Sequence, residues 1–225
     1  MSSQPKFVCL SNNATQRNSI WRNFAVLVDF YFCVSSRYSY LASTQLDGIS
    51  ARTGCTFLWK PVHYDVLLAK AGGDPLASDK PASGQYAWTY RQQDARAWAE
   101  FYSVPYEEPR DFRVDPPWLV RGCFAADMCG SLIPFCQRIF RAIFVESRVL
   151  EEPDLLEFAS DVGIDKDKFE EALTNAKTVE RQTEVLGEAV SKGVFGVPTF
   201  VVEDTLFWGN DRLVLLEHKL KSAIG

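Results

Sequence analysis

The stretch Val26-Leu27-Val28-Asp29-Phe30-Tyr31-Phe32-Cys33-Val34 is apolar almost throughout, rich in β-branched and aromatic residues, and carries a single charge at Asp29. It has neither helical period nor polar alternation, so it predicts a central strand covered on both faces. Ser35, Ser36 and Ser39 follow, where a helix should begin. A helix start exposes unpaired N–H groups and partial positive charge, which can stabilise an anion or a reacting group. A plain serine cap accounts for the same residues, and the strand–turn–helix pattern alone favours that simpler reading.

Downstream, Tyr40 to Arg52 has Leu41, Ala42, Leu46 and Ile49 at helical spacing, closed by Thr53-Gly54. Cys55 to Lys60 is a second short apolar strand, stopped by Pro61. Strand, helix and strand at these lengths form a βαβ unit with parallel strands. From 65 to 190 the chain changes texture. Helical periodicity runs through Asp65–Lys70, Tyr86–Phe101, Phe124–Arg148, Pro153–Gly163 and Lys166–Gly187, with Asp165 as a cap for the last. Loop-like segments rich in Pro, Gly and Ser lie between them, and no strand competes. The sheet resumes at Gly193 to Glu203, turns at Asp204-Thr205, and returns through Leu206 to Gly209. Asn210-Asp211 caps a closing amphipathic helix, Arg212 to Lys221. The expected organisation is a flexible extension over 1–25, one α/β unit built from 26–64 and 190–225, and an all-helical insertion over 65–189.

A chain of 225 residues with 47% apolar and 13% aromatic side chains can bury a sizeable core. A formal net charge of −5 argues against nucleic acid or an anionic membrane as partner, and no apolar run reaches the ~18–20 residues of a membrane span. Residues 1–23 carry no apolar core of a secretory signal. Six scattered cysteines, with no Cys-x-x-Cys and only His63 and His218 as histidines, read as reduced buried thiols and not as a metal site. A cytoplasmic setting follows, with a mitochondrial or peroxisomal one left open for a eukaryotic source.

A helical insert between βαβ and a β-hairpin-plus-helix, with Val197-Pro198-Thr199 entering the third strand, is the arrangement of a thioredoxin-like fold. Three separated segments then carry a family resemblance. Asp29-Phe30-Tyr31-Phe32, followed by Ser36-Arg37-Tyr38-Ser39-Tyr40-Leu41-Ala42, resembles the D-F-Y-F-D-x-x-S-P-Y-S-Y-L-A start of the 2-hydroxychromene-2-carboxylate isomerases and kappa-class glutathione transferases. Gly193 to Phe200 is similar to their G-V-F-G-V-P-T-F, and Leu206 to Leu213 to their L-F-W-G-x-D-R-L.

The resemblance implies a glutathione-dependent isomerase, or a kappa-type transferase that consumes glutathione, acting on a small aromatic or enone-type substrate and working as a homodimer. Ser36 and Ser39 stand where related disulfide oxidoreductases carry Cys-x-x-Cys, so dithiol redox chemistry is lost. Ser36 is then the catalytic candidate, its hydroxyl donating to the glutathione thiolate. Val197 and Pro198, the latter as a cis-proline, would present backbone to glutathione, with Asn210 and Asp211 at its γ-glutamyl end and Asp74 in a nearby loop. Arg37, Tyr38 and His63 are candidates for the substrate pocket. Two departures stand out. Arg37 replaces the family's proline, adding charge beside the thiolate, binding an acidic substrate, or pointing to solvent. Cys33 replaces its aspartate, opening a monothiol redox register Cys33-Val34-Ser35-Ser36; a position inside the strand speaks against it. A non-catalytic glutathione-binding module is the remaining alternative.

Overall fold

The computed structural model describes residues 25–72, 87–110 and 116–224. A four-stranded mixed sheet of order β2-β1-β3-β4 organises them. β1 (Leu27–Phe32) pairs in parallel with β2 (Thr56–Pro61), Leu27 opposite Thr56 through Phe32 opposite Pro61. On its other side β1 runs antiparallel to β3 (Thr199–Val202), which forms a hairpin with β4 (Thr205–Trp208). The expected central strand is therefore β1, and Val28, Phe30, Tyr31 and Phe32 are fully buried.

Between β1 and β2 the chain forms α1 (Arg37–Ser43) and α2 (Leu46–Thr53), where the sequence predicts one helix. Thr44 breaks it: its backbone N–H and hydroxyl turn back onto the carbonyls of Tyr40 and Leu41. Gly54 ends α2 in the left-handed conformation at φ 67°, as expected of a C-terminal glycine.

All described elements between β2 and β3 are helices: α3 (Tyr64–Lys70), α4 (Trp88–Tyr102), α5 (Pro117–Met128), α6 (Leu132–Phe144), α7 (Asp154–Asp161), α8 (Lys166–Thr174) and α9 (Ala176–Ser191). Two runs that read as continuous are divided. Gly130, at φ 74°, separates α5 from α6. Asn175 ends α8 and caps α9, its side chain accepting from Lys177 N–H at 3.0 Å. Asp165 caps α8 as predicted, accepting from Lys168 N–H at 3.1 Å. At the C-terminal side, β3 starts only at Thr199, and the turn falls on Glu203-Asp204, Glu203 taking φ 53°. Asn210–Arg212 is a short 3₁₀ turn before α10 (Leu213–Ile224), without the side-chain cap expected from Asn210 or Asp211.

One face of the sheet shares a core cluster with the helical segment, and the other packs a second cluster, Tyr31 and Val201 against Phe124 and Val185. Phe30 stacks between Phe32 and Phe200 at centroid distances of 4.8 and 5.0 Å, and Phe32 meets Phe140 of α6. Ile139, Ile143, Phe144 and Phe158 extend the same cluster. The helices are thus docked on the sheet by apolar contact, the largest favourable contribution to folding.

The opposite face, beside its apolar cluster, also buries charge. Asp29, 8% exposed on the central strand, receives ion pairs from Lys60 of β2 and from Lys192, and both lysines also reach Glu188 of α9 at 2.7 Å. Burial alone would raise the Glu188 carboxyl, but the hydrogen bonds from Lys192 and Lys60 outweigh it and hold the group down at about 2. For Lys192, burial lowers and the bonds to Asp29 and Glu188 raise, leaving it above its ordinary value. A carboxylate depressed on folding stabilises the native state above its unfolded value of ~4.3, and that contribution disappears as pH falls toward its folded value. A raised lysine contributes below ~10.4 and stops contributing only at pH beyond its folded value. Glu188→Gln is expected to lower Tm by about 2–4 °C at pH 7, a shift of ~1 kcal/mol after discounting for partial exposure. The deficit should shrink as pH falls from 4.5 to 2. A deficit constant across that window in pH-resolved thermal melts would contradict this account of Glu188.

Candidate active site

Every segment singled out at the two ends of the sequence meets at one edge of the sheet. Beyond Phe32, the C-terminal end of β1, Ser36 N–H donates to Cys33 O at 3.0 Å and the chain turns into α1. Beside it, Val62 N–H donates to Phe32 O at 2.8 Å, which holds the start of the Val62-His63 turn at the same edge. From the other side, Tyr31 lies opposite Thr199, so Val197 and Pro198 precede β3 at this edge too. Gly209 N–H donates to Pro198 O at 2.9 Å, bringing Asn210 and Asp211 alongside. Ends of sheet strands, where several connections converge, are where α/β folds place ligands.

Ser36 is the N-cap of α1, with extended backbone (φ −93°, ψ 118°). Its Oγ accepts from Ser39 N–H at 3.2 Å, which uses a lone pair and leaves the hydroxyl proton to donate. Ser39 is fully buried and structural: its Oγ accepts from Cys33 N–H at 3.4 Å, tying the turn to the end of β1. Cys33 lies just beyond the strand and not inside it, 2% exposed, with Sγ 2.7 Å from Ser35 Oγ. A reactive thiol requires access and an electropositive setting, so this burial weighs against the monothiol register.

The peptide Val197–Pro198 is cis, as the resemblance implies. Thr199 Oγ1 donates to Gly196 O at 2.7 Å and fixes the approach to β3. Asn210 is 4% exposed; its carbonyl accepts from Tyr102 O–H at 3.2 Å, while among the described residues its Nδ2 has no hydrogen-bond acceptor. Asp211 is exposed beside it. Gly209 holds φ 108° and ψ 155°, and a Cβ there would stand 2.3 Å from Asp211 Oδ1. That backbone region belongs to glycine, so Gly209→Ala is expected to cost about 1–3 kcal/mol and to displace the Asp211 carboxylate. Equilibrium denaturation checks the cost; a variant as stable as the parent would contradict the strain.

Arg37 does not point to solvent. It is 5% exposed, its Nε lies 3.1 Å from Glu108 Oε2, and its guanidinium sits over the Trp88 ring at 4.1 Å. Burial lowers its proton affinity and the Glu108 charge works the other way, with the net shift downward. Tyr106 O–H also donates to Glu108 Oε2, at 2.7 Å. Tyr38 donates to Asp94 Oδ2 of α4 at 2.7 Å, and its hydroxyl is pushed up first by burial and then by that carboxylate. Tyr40 is pushed up to about 12 by burial and donates to Pro105 O at 2.6 Å. Arg37, Tyr38 and Tyr40 therefore join α1 to the segments around α4, Trp88 and 105–108. Glu108 and Trp88, which sequence reasoning passed over, complete this wall. His63 is buried at the turn that enters α3. Asp74 lies outside the described residues.

A serine hydroxyl at a helix cap, an exposed carboxylate and an orphaned buried amide suit an anionic sulfur at one end and an ammonium with a polar acceptor at the other. Among the described residues no group of three or more His, Cys, Asp or Glu side chains could hold a metal ion, and no helix is long and apolar enough to cross a membrane.

A family model described as a DSBA-like thioredoxin domain matches residues 27–221. A 2-hydroxychromene-2-carboxylate isomerase of Sphingobium xenophagum is 30% identical over 204 residues, covering 86% of this chain and 97% of the relative. Glutathione S-transferase kappa 1 of Caenorhabditis elegans is 25% identical over 215 residues, covering 86% of this chain and 90% of the relative. The solved structure of a 2-hydroxychromene-2-carboxylate isomerase superposes with a TM-score of 0.73 at 25% identity, covering 87% of this chain and 95% of that one.

Proposed function

The chain belongs to the DSBA-like thioredoxin-domain family, with a 2-hydroxychromene-2-carboxylate isomerase among its relatives, and on that footing we propose that it is a glutathione-dependent isomerase of conjugated aromatic compounds. It is an enzyme of the isomerase type. The observation that carries the reading is Ser36: a hydroxyl that accepts from Ser39 N–H and keeps its proton to donate, on the same sheet edge as cis-Pro198 and Asn210. The resemblance implies that it stands where disulfide oxidoreductases carry a thiol. What glutathione supplies when bound is a thiolate that adds reversibly to a conjugated bond and is released unchanged.

The protein's own residues have separate tasks. Ser36 donates a hydrogen bond that favours the charged sulfur over the thiol. The backbone of Val197 pairs with the extended ligand as an added strand would. Asp211 accepts from an ammonium, and Asn210 Nδ2 donates to a neighbouring acceptor, which ends its orphaned state. Buried Arg37 and the aromatic wall keep water from the reacting edge.

A kappa-type transferase, in which the thioether is the product, is the second reading, favoured by the kappa transferase relative. Titration with glutathione separates both enzymes from a module built for another ligand. Millimolar glutathione should raise Tm, by the mass-action stabilisation any native-state ligand confers. A melting temperature that does not move would remove glutathione from the account.

A further inference from the structure

Proline at the first position of a helix costs nothing, because its missing N–H is one of the unpaired ones. Arginine at 37 is costly by comparison. Its side chain and that of Glu108 are 6% and 1% exposed, and desolvating both charges is repaid only where every polar atom finds a partner. Here the hydrogen bonding stops short on both sides. Among the described residues, Arg37 Nη1 has no acceptor and Glu108 Oε1 has no donor. The charges of the pair itself, in contrast, balance, Arg37 being met by Glu108. Farther out among the described residues, Arg91 lies 5.8 Å over the Tyr38 ring, and Tyr38 donates to Asp94. Tyr106 and Tyr38 spend their hydroxyl protons on those two carboxylates.

A pair with leftover hydrogen bonds and no leftover charge is complementary to a ligand with an acceptor and a donor and no charge of its own. We propose that Arg37 and Glu108 are specificity-determining residues that hold an uncharged end of the substrate, a carbonyl oxygen accepting from Arg37 and a hydroxyl donating to Glu108. This rests on the isomerase reading above, since it is the place of Arg37 directly after Ser36 that puts the pair beside the reacting position. A carboxylate at the same place would meet Glu108 without a net cation to offset it.

Two planar probes of nearly equal shape test this: 2′-hydroxyacetophenone, which is neutral, and 2-hydroxybenzoate, which is charged. Calorimetric titration of each into the full-length protein, with and without saturating glutathione, should give about tenfold or greater preference for the neutral probe, or ~1.4 kcal/mol. Glu108→Gln leaves Arg37 as a net cation and should reverse the order. Where that variant does not fold, the double variant Arg37→Met with Glu108→Leu decides, because apolar replacement of a buried pair is tolerated. It should bind the two probes within about threefold of each other. A parent protein that favours 2-hydroxybenzoate or binds neither probe at millimolar concentration overturns the proposal, as does an order that survives in the variants. A neutral preference that stands while millimolar glutathione leaves Tm unmoved would count against the glutathione reading and not against the Arg37–Glu108 pair.

Discussion

Replacing Ser36 by alanine is expected to lower kcat by about 10²–10³-fold, the range for removing one preorganised donor from a site of developing charge. Ser36 accepts from Ser39 N–H at the start of α1, so its oxygen is fixed and its proton is available for the ligand sulfur. Alanine removes that donor, along with a cap bond whose loss costs about 1 kcal/mol of stability. The two effects separate in the kinetics. Losing a donor used only when the sulfur is charged lowers kcat and raises the pH at which the acidic limb of the rate profile begins. A cap alone would lower Tm and leave the pH profile where it was. Ser36→Thr keeps the hydroxyl and the cap, and should recover part of the activity. Full activity in Ser36→Ala would assign Ser36 to the helix only.

The largest expected loss of stability comes from splitting the Arg37–Glu108 pair. Arg37→Met strands a carboxylate whose side chain is 1% exposed, leaving Tyr106 as its one described partner. Breaking one side of a buried pair costs about 3–5 kcal/mol, a large part of the ~5–15 kcal/mol that holds a domain folded. The double variant Arg37→Met with Glu108→Leu removes both charges and should recover part of that loss, remaining about 1–3 kcal/mol below the parent because the Tyr106 hydroxyl is left without its acceptor. A denaturation cycle over the four proteins measures the coupling directly. A single variant as stable as the double one would mean that Glu108 is paired or solvated by something other than Arg37.

The sheet and the meeting of the three separated segments at one end of it were legible in the amino-acid sequence because both rest on local signals. A continuous apolar run names β1, Gly54 and Asp165 punctuate helices by backbone and cap chemistry, and the separated segments around Ser36, Val197-Pro198 and Asn210 converge through one strand register. Where local signals were weak, the boundaries moved. Thr44 ends a helix that periodicity would carry on, and Asn175 divides a run whose apolar period continues past it. The cap signal at Asn175 was present and could have been read. Arg37 is the instructive case. Its sequence neighbours say nothing of burial, because Glu108 and Trp88 come from the loop before α5 and the start of α4. The Asp29 network is similar: the strand showed a single acid, while its partners Lys60 and Lys192 come from β2 and the end of α9. Long-range pairs of this kind are decided by tertiary packing, which no window along the chain contains.

The central claim is that glutathione is required for turnover yet is returned. It is tested most directly by following a conjugated aromatic substrate such as a 2-hydroxychromene-2-carboxylate while counting free glutathione thiol. The account predicts product formation only when glutathione is present, with the thiol count unchanged after many turnovers. Thiol lost one-for-one with substrate would make the enzyme a transferase, and turnover at full rate without glutathione would contradict the account altogether.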